Sequence, residues 1–191
     1  MARREPRARE DRLTPASAAA ALCTACGLCC DGTLFADVEL GGTREVARLE
    51  VLGVEVEEPD GDHRGLLIQP CRALAGTRCA IYALRPACCR TFECALLQRL
   101  ERGAIGLGSA RALVADTRAR IARIERLAAG LAPVRERLPL RERCAAALAA
   151  TRDRVTARSL ERALAALERR LASAFLGARG RRPLDRARTN H

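Results

Sequence analysis

The chain has 191 residues, of which 49% are hydrophobic and only 2% aromatic, and it carries a formal net charge of +11 at neutral pH. Its length suits one domain with a real core, or a small domain with a helical extension, and the Ala- and Leu-rich composition favours an aliphatic, helical interior. No apolar run approaches the length of a membrane span, and no Ser-His-Asp set, paired catalytic carboxylates or phosphate loop points to a hydrolase.

All 34 basic residues are Arg, a uniformity that reads first as codon bias and only then as chemistry. The charge is uneven: residues 13–94 hold seven Arg against eleven acids, whereas residues 95–191 hold 22 Arg against nine acids. That shift sets the main boundary. We read residues 1–14 as a disordered basic tail, 15–102 as a cysteine-cluster domain, 103–178 as a helical region and 179–191 as a second disordered tail.

In chain order, residues 16–22 suit a short helix leading into the first cysteines. This Ala-rich run is broken by Ser17 and sits at the lower limit for the apolar stretch of a signal peptide. The expected home is therefore a reducing cytoplasm, where thiols stay free for metal. Residues 34–40 alternate apolar and polar like a half-buried strand that Gly41 and Gly42 end. Residues 43–52 suit a short helix with Val46, Leu49 and Leu52 facing inward. Residues 54–57 and 65–69 flank a Pro-Asp-Gly turn and read as a hairpin. His63 lies in that turn between acids and reads as solvent-exposed.

Beyond Cys94 the period becomes helical. Ala110, Val114, Thr117, Ile121, Ile124, Ala128 and Leu131 form one stripe, with Ser109 placed to cap its start. Leu160, Leu164, Leu167 and Leu171 repeat the spacing in a last helix that Gly177 closes. Pro133 and Pro139 break the chain between them. The expected fold class is α+β, a small loop-rich metal-binding domain followed by a mainly α-helical hairpin.

The ten cysteines fall into two groups with one outlier. Cys23, Cys26, Cys29 and Cys30 form the first; Cys71, Cys79, Cys88, Cys89 and Cys94 form the second; Cys144 stands alone. A C-x-x-C pair brings two sulfurs to one ion from a tight turn, and Gly27 after Cys26 allows the positive φ that aims amides at sulfur. Cys23, Cys26 and Cys29 also repeat the opening of a bacterial ferredoxin run without its ending. Spacing alone does not choose between zinc and iron–sulfur. In extended backbone, adjacent side chains point to opposite faces, so Cys29 and Cys30 are expected to serve different ions, and the same holds for Cys88 and Cys89.

The runs CTACGLCC and CAIYALRPACCRTFEC, with Cys71 between them, resemble the bacterial CxxCxxCC (YkgJ-like) family of zinc- or iron-chelating cysteine-cluster proteins. The resemblance spans roughly residues 20–95. Residue by residue, it implies Cys23, Cys26, Cys29, Cys30, Cys71, Cys79, Cys89 and Cys94 as metal ligands. Tyr82, Arg85, Pro86, Arg90 and Phe92 match its other positions, while Cys88 and Cys144 are extra and read as buried thiols. Arg72 departs from the apolar residues often found after the Cys71 position.

Eight sulfurs make two sets of four, the number for tetrahedral zinc or a cubane cluster. Arg85 and Arg90 lie near the second group in sequence and are candidates to offset its negative charge, with Tyr82 beside them. Two further readings follow: an iron–sulfur oxidoreductase or methyltransferase-associated enzyme, though no Gly-rich methyl-donor loop is present, and a zinc-stabilised nucleic-acid-binding module. Against the latter, there are few aromatic rings to stack on bases, and Arg alternates with Glu as on a solvated face. A protein partner is left open.

Overall fold

A computed structural model describes residues 14–57, 65–133 and 137–177. The tail readings for residues 1–13 and 178–191, and the turn at 58–64 with His63, lie outside the described residues.

Helix α1 spans Pro15–Cys26. The Thr14 hydroxyl accepts the Ser17 amide at 3.2 Å, Pro15 occupies the first turn, and Gly27 ends the helix in the left-handed region at φ 70°. It therefore runs past the expected end at residue 22 and carries Cys23 and Cys26 on its last turn. Gly27 is the first residue after the cap that takes such a φ without strain.

The expected strand over 34–40 shrinks to β1, Asp37–Glu39, which pairs antiparallel with β2, Leu66–Ile68, in the register Val38 opposite Leu67. Leu34 and Leu40 at its flanks are buried all the same. Helix α2, Thr43–Val51, buries Val46 and Leu49 as its period predicts. The hairpin partner of β2 at residues 54–57 makes only a single bridge, Glu57 to Leu66. A second ribbon joins β3, Leu74–Ala75, to β4, Arg78–Cys79. A 3₁₀ turn at Tyr82–Leu84 leads into the short helix α3, Ala87–Thr91.

Four longer helical elements complete the chain: α4 at Ala95–Glu101, α5 at Leu107–Ala129, α6 at Leu140–Ala150 and α7 at Arg154–Leu171. A π-helical turn, Ala172–Leu176, follows and ends at Gly177. The expected stripe on α5 is buried from Ala110 to Ala128. Ser109 does not cap this helix. The helix starts two residues earlier because Leu107, three before Ala110 on the same stripe, is itself buried.

The helical hairpin also gains a third member. Helix α6 buries Leu140, Cys144 and Ala147, a four-three spacing hidden in an Ala-rich run. Among the described residues, no helix is long and apolar enough to cross a membrane.

Two apolar clusters organise these elements. The larger joins α1, Leu28, Leu34 and α4 to α5, α6, α7 and Phe175, so it draws on both sides of the residue 102–103 boundary. The smaller gathers Leu40, Val46, Leu49, Val54, Leu67, Cys71 and Ala73. Each fully buried Leu in them contributes about 1.5–3 kcal/mol of transfer free energy.

Candidate metal centre

The cysteine-bearing segments are held by main-chain hydrogen bonds that follow from local turns. After Gly27 the chain doubles back: the Cys30 and Asp31 amides both donate to the Gly27 carbonyl, at 2.9 and 3.0 Å. The Cys71 amide donates to the Cys30 carbonyl at 2.8 Å, bringing two distant segments side by side. Cys79 stands on β4. Glu45 of α2 accepts from the Ala87 amide at 2.6 Å and so anchors the start of α3, which carries Cys88 and Cys89. Cys94 caps α4, its Sγ accepting the Leu97 amide at 3.4 Å.

All ten cysteines are free thiols. Seven of the eight family positions pack on one or other apolar cluster, Cys23 is exposed, and charge contacts cross between the groups: Cys23 feels Cys79, Cys30 feels Cys23 and Cys29 feels Cys30. Cys26, Cys29 and Cys94 pack against the larger apolar cluster, and each lies close enough to Cys23 to feel its charge. Cys30, Cys71, Cys79 and Cys89 pack on the smaller cluster, where Cys30 feels Cys71 and Cys79, and Cys89 feels Cys30 and Cys71. Burial pushes Cys26 up to about 11 and Cys30 to about 12. Burial also raises Cys29 strongly, with the charges of Cys26 and Cys30 adding to it.

As placed, no three His, Cys, Asp or Glu side chains among the described residues close into a ligating arrangement. The sulfurs stand in neighbouring sets rather than drawn onto common points. Their donor chemistry nonetheless fits a thiophilic metal, since every candidate ligand is a sulfur.

Cys29 and Cys30 do pack on different clusters, although they lie in a hydrogen-bonded turn and not in extended backbone. Cys88 and Cys89 do not. Both pack on the smaller cluster, and the Cys89 thiol donates a hydrogen bond to the Cys88 sulfur, lowering Cys88 and raising Cys89. The reason is that α3 is helical, and neighbouring residues on a helix are not opposed as they are in a strand. Cys88 is half-buried rather than buried, whereas Cys144 is fully enclosed in the helical core, as expected.

Arg85 and Tyr82 lie beside Cys23, which in turn lies near Cys79. Burial raises Cys23, while the Arg85 guanidinium and a hydrogen bond from the Tyr82 hydroxyl pull the other way. Arg85 stacks over the Tyr82 ring at 3.7 Å from its centroid. Arg90 is exposed and donates to the Arg85 carbonyl at 2.7 Å, bracing the turn. Arg72 makes a forked pair with Glu55 at 2.9 and 2.8 Å, so its departure from an apolar residue is met at the surface.

Sequence reasoning missed two residues here. Arg118 of α5 donates through Nε to the Cys26 carbonyl at 3.0 Å, and through Nη2 to the same oxygen. Its Nη2 also lies 3.9 Å from Asp31, whose carboxylate accepts the Thr33 amide at 2.9 Å. Asp31-Gly32 after Cys30 is a turn signal that could have been read. Nothing in the sequence singles out Arg118 from the 22 Arg of the basic half.

Residues 22–109 match the model of the CxxCxxCC family, described as "Putative zinc- or iron-chelating domain". The match covers a little under half the chain and every cysteine but Cys144, so the resemblance carried by the cysteine spacing is shown for that segment. No curated protein and no solved structure matches the chain.

Proposed function

We propose that the chain is a cytoplasmic metal-binding protein with two four-cysteine sites. Cys23, Cys26, Cys29 and Cys94 hold one zinc ion or iron–sulfur cluster; Cys30, Cys71, Cys79 and Cys89 hold the other. The observation that carries this reading is the division at consecutive residues: Cys29 packs with Cys26 and Cys94 on the helical cluster, and Cys30 packs with Cys71, Cys79, Cys88 and Cys89 on the smaller one, with Cys23 assigned to the first group by its closeness to Cys26, Cys29 and Cys94. Burial raises Cys26, Cys71 and Cys94, and amide hydrogen bonds to their sulfurs offset part of that rise, which supports the reading because a metal needs the thiolate.

Four thiolates fill the coordination of one zinc ion or supply one ligand to each iron of a four-iron cluster, so the role is to knit distant segments together rather than to activate a substrate. The basic helical region serves as a solvated surface. Several of its Arg are paired, with Arg120 and Arg170 on Asp116, Arg141 on Glu168 and Arg143 on Glu125.

Metal analysis of anaerobically purified protein tests this. Colourless protein with two zinc ions, or brown protein with about four iron atoms per site, agrees with it. Cys26→Ser and Cys89→Ser should each lose one site and Cys144→Ser none; equal metal in all three refutes the assignment.

A further inference from the structure

Arg118 lies outside the segment that matches the family, on the first long helix of the basic half. Its side chain is only 31% exposed and reaches across to the cysteine loop. The carbonyl it holds, that of Cys26, belongs to the last turn of α1, where carbonyls have no partner within the helix. A methyl group on Gly27 would lie 2.7 Å from Arg118 Nη2 and 2.9 Å from the Thr77 carbonyl, so the turn between Cys26 and Cys29 closes directly onto the guanidinium. Asp31 approaches the same group from the far side of the turn.

We propose that Arg118 is a positioning residue of the first cysteine set, fixing the Cys26 peptide with its fork and placing a positive charge at the turn that carries Cys26 and Cys29. The inference rests on the metal reading above. A divalent ion with four thiolates carries a net charge of −2, and a cation held against that site favours the loaded state. The helical region is then part of the metal site and not merely attached to it. A guanidinium suits this better than an ammonium, because its planar fork keeps two donors on one carbonyl while its charge stays at the cysteine turn.

The test uses the full chain, zinc ion alone as probe, and competition against a chromogenic chelator. Cys79→Ser isolates the first set and Cys26→Ser the second. In the Cys79→Ser protein, R118Q should weaken zinc binding about 10- to 100-fold, the usual cost of losing such a neighbour, and R118K should fall between it and Arg. In the Cys26→Ser protein, R118Q should change zinc binding by less than about twofold. Equal losses in both backgrounds, no loss in the first, or R118K no better than R118Q would each overturn the proposal. If R118Q does not fold, the comparison of R118K in the two backgrounds decides it. Should the unsubstituted chain bind no zinc and contain no iron, the metal reading itself fails, which is seen before any Arg118 variant is made.

Discussion

Replacing Gly27 with Ala perturbs the turn that feeds the first cysteine set, and its cost can be worked from two contributions. Gly27 sits at φ 70°, where a side chain costs about 1–2 kcal/mol. The added Cβ would also stand 2.7 Å from Arg118 Nη2 and 2.9 Å from the Thr77 carbonyl, and crowding of this kind costs about 1–3 kcal/mol. Together they predict a loss of about 2–5 kcal/mol. Gly76 supplies the control: its φ is 61°, and a Cβ there meets nothing within 4 Å, so Gly76→Ala should lose only the first part. Urea unfolding of both variants under reducing conditions, with unchanged m-values, gives the comparison. If the two variants lose the same stability, the turn is not closed against Arg118 and Thr77 as described.

Further outcomes follow from other parts of the molecule. Cys29→Ser and Cys30→Ser should each remove one metal site and the double variant both, read by metal analysis; loss of both sites from either single change would refute the division. Phe175→Ala, at a fully buried side chain, should cost about 3–5 kcal/mol in thermal or urea unfolding although it lies far beyond the matched segment. Cys144 gives a pH signature. Burial raises its thiol to about 11, whereas the unfolded chain releases that proton near 9.0. The group's contribution is therefore complete below about pH 9 and is lost as pH rises toward 11, by about 1.4 kcal/mol per pH unit. Cys144→Ala protein should show a correspondingly shallower fall over that window in unfolding titrations, and identical slopes would refute the assignment.

The legible parts of this chain were those governed by local chemistry. The existence of α1 was read, though its Thr14 cap and its run on to Cys26 were not, and the α5 stripe follows from period alone. The division of Cys29 from Cys30 was anticipated from adjacency, although a turn rather than extended backbone carries it, whereas the pairing of Cys88 with Cys89 was not, because it depends on whether residues 87–91 are helical or extended. Helix α6 was hidden because Ala is neither clearly apolar nor polar in a periodicity reading, so the buried line of Leu140, Cys144 and Ala147 does not stand out. Arg85 and Tyr82 were found as candidates from their place in the second cysteine run, but their closeness to Cys23 was not legible, since the direction of a 3₁₀ turn is set by tertiary packing. Arg118 was out of reach for the same reason: its partner is 92 positions away.

Leu28 and Leu34, inside the matched segment, are no more than 1% exposed, and they pack in the same cluster as Leu160 and Phe175 near the chain's other end. The Leu140 amide also donates to the Gly32 carbonyl at 3.1 Å, sewing the cysteine loop to the start of α6. A fragment cut at residues 22–109 would therefore carry its own greasy underside into water. Expression trials that trim the protein to the recognisable half should give insoluble product, and any attempt to transplant the sulfur-rich unit into another scaffold must bring its helical backing along.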